Sequence, residues 1–215
     1  MISVDLIIFD LDGTLVDSTL DIAQTTNYVL EKLGFHSLPM EQIKSYVGDG
    51  IARLVERSLS TQTHPDEQLL KRALDLYYQH HEAHCTDFSR PFPGVVETLD
   101  YFARKKKIVI SNKAERFSQK VLKELNLDRY FELILGGDSL PFKKPDPRVI
   151  QTVLKQFSIS PQKAIIVGDG PQDIECGHRA GIYTCGVTYG FRPVHELQKA
   201  DFLIEQMAKL KDILI

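Results

Sequence analysis

Four short clusters in the sequence have the residue types for one joint piece of chemistry. The first is Phe9-Asp10-Leu11-Asp12-Gly13-Thr14, two carboxylates two residues apart directly after the apolar run Leu6 to Phe9. Such a pair can divide a displacement, one carboxylate attacking while the other moves a proton. Close like charges resist joint ionisation, so a cation or a shared proton is expected beside them. Read alone, Asp-Gly after a strand is also an ordinary turn signal. The second cluster is Ser111-Asn112-Lys113-Ala114. A hydroxyl and the free amides of a helix start suit an anion, although Asn112 could equally be a plain cap. Lys113 is oddly placed there, because a cation at a helix N-terminus opposes the dipole and a bound anion would relieve it.

The third cluster is Phe142-Lys143-Lys144-Pro145-Asp146-Pro147. Its prolines stiffen the loop, and Asp146 can cap a helix whose first residue is Pro147. Lys144 is thereby held where it could neutralise a phosphoryl group and its attacker, or it is simply a solvated lysine before a helix. The fourth is Val167-Gly168-Asp169-Gly170-Pro171-Gln172-Asp173. Asp169 and Asp173, four residues apart across a helix start, can face one site, and magnesium favours one or two carboxylates plus water and substrate oxygens. Asp173 alone is also explained as an acid favoured by the helix dipole.

The elements that position these clusters follow from short, nearly continuous apolar runs. Leu6 to Phe9, Ile108 to Ile110, Leu133 to Leu135 and Ala164 to Val167, with weaker runs at Tyr183 to Val187 and Phe202 to Ile204, predict strands buried on both faces. Helical patterns between them imply an α/β fold, a Rossmann-like parallel sheet, with the chemistry beyond the carboxyl ends of the strands. Between Asp12 and Phe92 no strand is expected. The spacing predicts helices there instead: one opened by a capping box of Ser18 with Asp21 and closed near Gly34, then others opened by Pro39, Gly50 and Asp66, the last reaching about His84. The predicted organisation is an α/β core of residues 1–15 and 88–215 with an inserted helical cap of residues 16–87.

Bulk properties narrow the function class. The chain has 215 residues, 43% hydrophobic content, 26% charged content and a net charge of -3. That is enough for a real core, and nothing basic recruits nucleic acid or an anionic membrane. The one dense basic run, Lys105 to Lys107, follows the apolar helical pattern of Val95 to Phe102, where cations favour the dipole. Three widely spaced cysteines argue against a disulfide framework, the N-terminus does not read as a signal peptide, and no apolar stretch reaches the roughly eighteen residues of a membrane span. A cytoplasmic location is expected, and the oligomeric state is left open.

Taken in order, DLDGT, Ser111, Lys144 in KKPDP and GDGPQD resemble the haloacid dehalogenase superfamily of phosphatases, over nearly the whole chain including the inserted cap. The closest resemblance is to phosphoglycolate phosphatases. It implies that Asp10 attacks phosphorus and becomes an aspartyl-phosphate, and that Asp12 serves as acid and then base. Ser111 and the Asn112 amide would hold the phosphoryl oxygens and Lys144 would balance charge. Mg²⁺ would be held by Asp10, the Asp12 carbonyl and Asp169, with Asp173 supporting it directly or through water. Gly170 departs from the Ser or Thr common in relatives. Asp12 itself favours phosphate esters, since dehalogenases and phosphonate-cleaving relatives lack that second aspartate.

The cap should choose the leaving group. Gly48-Asp49-Gly50-Ile51-Ala52-Arg53 offers two glycines for close approach, a helix start at Gly50, and Arg53 for an acidic group such as a carboxylate, or else it is a plain turn with a surface arginine. His80, His81 and His84 read as a solvated helix-end cluster rather than a metal site, and Cys85 reads as packing. The expected partner is a small phosphorylated metabolite, best guess 2-phosphoglycolate. Pyrophosphate hydrolysis and a β-phosphoglucomutase-type sugar-phosphate mutase remain alternatives with the same core residues. A phospho-signalling module is disfavoured by the helical insert and the paired aspartates.

Overall fold

A computed structural model describes residues 1–215. Its centre is β1 (Leu6–Phe9), whose four side chains are all fully buried. Each contributes about 1.5–3 kcal/mol by leaving water. β1 pairs in parallel with β4 (Lys106–Ile110) on one side and β6 (Ala164–Gly168) on the other. The sheet continues to β5 (Leu133–Leu135) beyond β4, and to β7 (Tyr183–Val187) and β8 (Phe202–Ile204) beyond β6. Every pairing in this six-stranded sheet is parallel. In order of appearance its strands stand 3-2-1-4-5-6, the doubly wound Rossmann arrangement.

The register matters for function. Phe9 pairs with both Val109 and Val167, so the chain leaves β1, β4 and β6 at nearly one level. Alternation splits the strands between two faces. Ile7, Phe9, Val109, Ile165 and Val167 face α5 (Val95–Tyr101) and α6 (Glu115–Glu124) through Leu99, Phe117 and Val121. Leu6, Ile8, Ile108, Ile110 and Ile166 face α7 (Arg148–Phe157) and α8 (Pro171–Ala180) through Val149, Ile150, Val153 and Cys176.

Between β1 and α5 stand α1 (Thr19–Lys32), α2 (Met40–Tyr46), α3 (Ile51–Ser60) and α4 (Glu67–His84), packed on one another over the carboxyl end of the sheet. The two chain segments that join them to the sheet pair with each other as β2 (Val16–Asp17) and β3 (Arg90–Pro91), an antiparallel pair that the sequence reading did not anticipate. Two residues per strand are too few for an alternating pattern to register.

Local chemistry differs from expectation at several places. No capping box forms at Ser18 and Asp21. Ser18 instead donates to Asp12 Oδ1 at 2.5 Å, and the buried Asp21 accepts from the Phe88 and Ser89 amides and the Ser89 hydroxyl across the junction. Asp66 does cap α4, accepting from the Leu69 amide at 2.8 Å. Helix α7 starts at Arg148 rather than Pro147, with Asp146 accepting from the Arg148 amide. Lys106 and Lys107 lie within β4, and Lys107 turns its ammonium back onto the Phe102 carbonyl at 2.7 Å, the helix-end role expected of it.

The histidine cluster is not solvated as a whole. His81 is fully buried between α4 and α6, with its ring edge-on to Phe117 at 4.9 Å and its Nδ1 3.3 Å from Thr25 Oγ1. Burial first, and the Lys113 ammonium second, drive its pKa down to about 2. The unfolded chain therefore binds a proton below pH 6.5 that the folded chain refuses, and stability is lost as pH falls. The penalty reaches about 2 kcal/mol at pH 5, from about 1.4 kcal/mol per pH unit. Denaturant titrations at pH 7.5 and pH 5 should show His81→Leu losing less stability on acidification than the wild type by that amount. Equal losses in the two proteins would refute the assignment.

Candidate active site

The level strand ends gather the sequence clusters. Asp10 leaves β1 with its amide donating to the Val167 carbonyl at 2.9 Å, which fixes the exit. The chain then turns back on itself, the Leu15 and Val16 amides donating to the Leu11 carbonyl, with Gly13 at φ +83°. A Cβ on Gly13 would stand 2.2 Å from Asp169 Oδ2, so only glycine lets this turn lie against the end of β6.

Lys144 is only 2% exposed. Its ammonium donates to Asp10 Oδ1 at 2.7 Å and to Asp173 Oδ1 at 2.6 Å. The reading of Lys144 as a solvated lysine is excluded. Burial pulls its pKa down, but the two carboxylates outweigh that and hold the ammonium above its usual range. Asp173 Oδ2 accepts from the Gly170 amide, so both of its oxygens already have protein partners. Asp169 Oδ2 accepts from the Phe191 amide at 2.7 Å, and Gly190 lies close enough that a Cβ there would stand 2.3 Å from Asp169 Cβ. Sequence reasoning missed Gly190 and Phe191. Their only signal is a glycine shortly after an apolar run, as follows the other strands.

Asp10, Asp169 and Asp173 are all buried, with carboxylate oxygens within 4.8 Å of one another. Burial, then the neighbouring charges of Asp10 and Asp173, push the Asp169 pKa well above the usual carboxylate range, and burial raises that of Asp173 against the pull of Lys144. A buried all-oxygen donor set whose charges repel one another fits a hard divalent cation, which would relieve both the burial penalty and the repulsion.

Above Asp10 lies a cavity lined by Asp10, Asp12, Ser111, Asn112 and Lys113 from the sheet side and by Gly48, Gly50, Ile51, Leu54 and Tyr77 from the helical side. The Leu11, Asp12 and Asn112 amides have no protein partner, and Ser111 Oγ accepts from the Lys113 amide at 3.2 Å, which leaves its own proton free. Free donors of this kind suit an anion. Lys113 is explained differently from the sequence reading. Helix α6 begins at Glu115, so Lys113 lies outside it, and its ammonium sits 3.2 Å from Asp12 Oδ1.

The helical side is held by donors from the sheet side. Asn112 Nδ2 donates to the Gly48 carbonyl, Lys143 to that of Asp49, and Arg192 to those of Ser45 and Val47. Gly48 and Gly50 therefore lie at the cavity, as expected, with φ of +122° and +90°. Arg53 does not. Its side chain is 63% exposed and pairs with Glu56 on the same helix. The inward face of α3 is set by Ile51, Leu54, Val55 and Leu59, and a residue two positions after Ile51 points the other way. At Gly170, where a hydroxyl-bearing residue was expected in relatives, the space for a Cβ is filled by the Gln172 side chain.

The cavity is small, about 40 Å³, room for a few waters. A larger open groove around Tyr101, Lys105 and Ile215 lies at the other end of the sheet but gathers no convergent acids.

The sequence model of the haloacid dehalogenase-like hydrolases matches residues 7–187. The chain belongs to the haloacid dehalogenase-like hydrolase family. Among its relatives in that family is a phosphoglycolate phosphatase from Nitrosospira multiformis, 39% identical over 198 residues, covering 89% of this chain and 87% of that protein. Another, from Aquifex aeolicus, is 35% identical over 206 residues, covering 95% and 93%. A crystal structure described as a predicted phosphoglycolate phosphatase from Haemophilus somnus superposes with a TM-score of 0.93 at 28% identity, over 99% of both chains. The haloacid dehalogenase-like fold thus extends through the four helices above the cavity. No helix is long and apolar enough to cross a membrane.

Proposed function

We propose that this hydrolase is a magnesium-dependent phosphatase of a small phosphomonoester, with 2-phosphoglycolate as its substrate. The observation that carries the reading is the meeting of Asp10, Asp12, Lys144 and the buried acid cluster at one end of the sheet beside a small cavity. Asp10 attacks phosphorus through the oxygen not engaged by Lys144, the ester bond breaks, and Asp12 delivers the proton the departing oxygen requires. Asp12 then withdraws a proton from the water that cleaves the aspartyl-phosphate. Ser111 Oγ and the amides of Leu11, Asp12 and Asn112 hold the phosphoryl oxygens, and Lys144 neutralises charge as it moves. Asp10, Asp169 and the Asp12 carbonyl would hold Mg²⁺, with Asp173 acting through Lys144 and the Gly170 amide. The bound ion supplies the positive charge that lets a carboxylate approach an anionic ester.

Relatives named phosphoglycolate phosphatase support the substrate choice. Three buried, unpaired cysteines suit a reducing cytoplasm. A phosphate-release screen with Mg²⁺ or with chelator tests the reading. The expected result is the highest kcat/KM for 2-phosphoglycolate, loss of turnover with chelator, and a Tm raised by Mg²⁺. Faster release from pyrophosphate, or conversion of β-glucose 1-phosphate without phosphate release, would replace it with a pyrophosphatase or a mutase.

A further inference from the structure

Lys113 and Tyr77 have no part in the phosphoryl chemistry above, yet both are buried in the wall of the same cavity. Lys113 is 6% exposed. The one carboxylate it meets is Asp12, at 3.2 and 3.3 Å, which occupies one side of an ammonium that carries three protons. Tyr77, at the middle of α4, is 1% exposed, and its hydroxyl has no hydrogen-bond partner in the protein. Tyr77 lines the cavity, so its hydroxyl is free to donate to a ligand there. Burial, then the nearby Asp12 charge, keeps that phenol protonated and therefore a donor.

The position of the two groups is informative. At Asp10 the cavity already has Ser111 and the unpartnered amides, with Lys144 bonded to Asp10. Lys113 adjoins Asp12, the residue that must touch the departing oxygen. The apolar part of the same lining is Ile22, Val47, Ile51 and Leu54, which offer no counter-charge. Two further titratable groups lie near Lys113, and burial holds both neutral: it lowers the pKa of His81 and raises that of Cys85. The Asp12 side of the cavity therefore combines a buried ammonium with donor capacity beyond Asp12, one free hydroxyl and apolar walls.

We infer that this end recognises a small carboxylate on the leaving group, with Lys113 as its counter-ion and the Tyr77 hydroxyl as its hydrogen-bond donor. The inference rests on the phosphatase reading and assigns the selectivity that Arg53, on the outer face of α3, does not supply.

The test compares 2-phosphoglycolate with carbamoylmethyl phosphate, the uncharged amide of the same shape, using purified protein with Mg²⁺. Wild type should favour the carboxylate by about 100-fold in kcat/KM, the discrimination a desolvated charge pair provides. Lys113→Met should lose about 100-fold on the carboxylate and less than about 5-fold on the amide. Lys113→Arg should keep part of the preference. Tyr77→Phe, which removes a single oxygen from the wall, should raise KM for the carboxylate by about 10-fold with little change in kcat. Equal losses on both substrates in Lys113→Met would mean that Lys113 only positions Asp12, and would overturn the inference. A wild type that turns over the amide as readily as the acid would overturn it while leaving the phosphatase standing. A wild type that releases phosphate from neither substrate, nor from any other phosphomonoester, would overturn both.

Discussion

Asp10→Asn should abolish turnover, by about 10⁴-fold or more, while leaving the protein folded. An amide has nearly the shape of a carboxylate but is a very poor nucleophile toward phosphorus. The fold should tolerate the change because Asp10 is a source of strain among its neighbours. Its charge raises the pKa of both Asp169 and Asp173, and Lys144 keeps Asp173 as a partner when the charge is gone. Without metal the variant should therefore melt at or above the wild-type temperature. Phosphate release gives the first readout. Mass spectrometry of acid-quenched wild-type enzyme gives the second, as one phosphoryl group on the peptide that contains Asp10. More than about 1% of wild-type turnover in the variant would exclude Asp10 as the nucleophile.

Lys144→Met should damage activity and stability together. The ammonium is the cation placed among Asp10, Asp173 and Asp169, and its removal strands buried carboxylates. Breaking a buried ion cluster by deleting one partner costs roughly 3–5 kcal/mol. For a chain of this size that is a Tm loss on the order of 10 °C. The loss should depend on pH. Burial already raises Asp169 and Asp173, and Lys144 acts against that rise, so without it the folded state binds protons that the unfolded state releases. The folded state of the variant then loses ground as pH rises, and its deficit should be smaller at pH 5 than at pH 8. A deficit independent of pH would show that packing, not charge, explains the loss. Saturating Mg²⁺ should restore part of the stability but not the turnover.

Much of this was legible in the sequence, for a physical reason. Strands buried on both faces leave continuous apolar runs, and the polar residues that end them are the site itself, so Asp10, Ser111 and Asp169 stand out by contrast. Lys144 was legible through the prolines around it, although its burial was not. What escaped notice depends on packing between distant segments. Whether Arg53 faces in or out is decided by which stripe of α3 is apolar, a one-position question that a short loop motif does not answer. His81 and Tyr77 look like ordinary residues of a long helix, and only the meeting of α4 with α6 and the cavity gives them distinct surroundings. The amides of residues 190–191 carry no side-chain signal at all. Lys113 stands out in the sequence as a cation beside a helix start, but its ion pair with Asp12, 101 residues earlier, leaves no local pattern.

The contacts that fasten the helical layer over the cavity have a consequence for how such enzymes diversify. Asn112, Lys143 and Arg192 all grip main-chain carbonyls of residues 45–49. The attachment reads main-chain oxygens rather than side chains, although Gly48, at φ +122°, is bound to stay glycine. Side chains that face the cavity from α3 and α4 can be exchanged while these carbonyl contacts stay, so new specificities can be tried on an unaltered catalytic base.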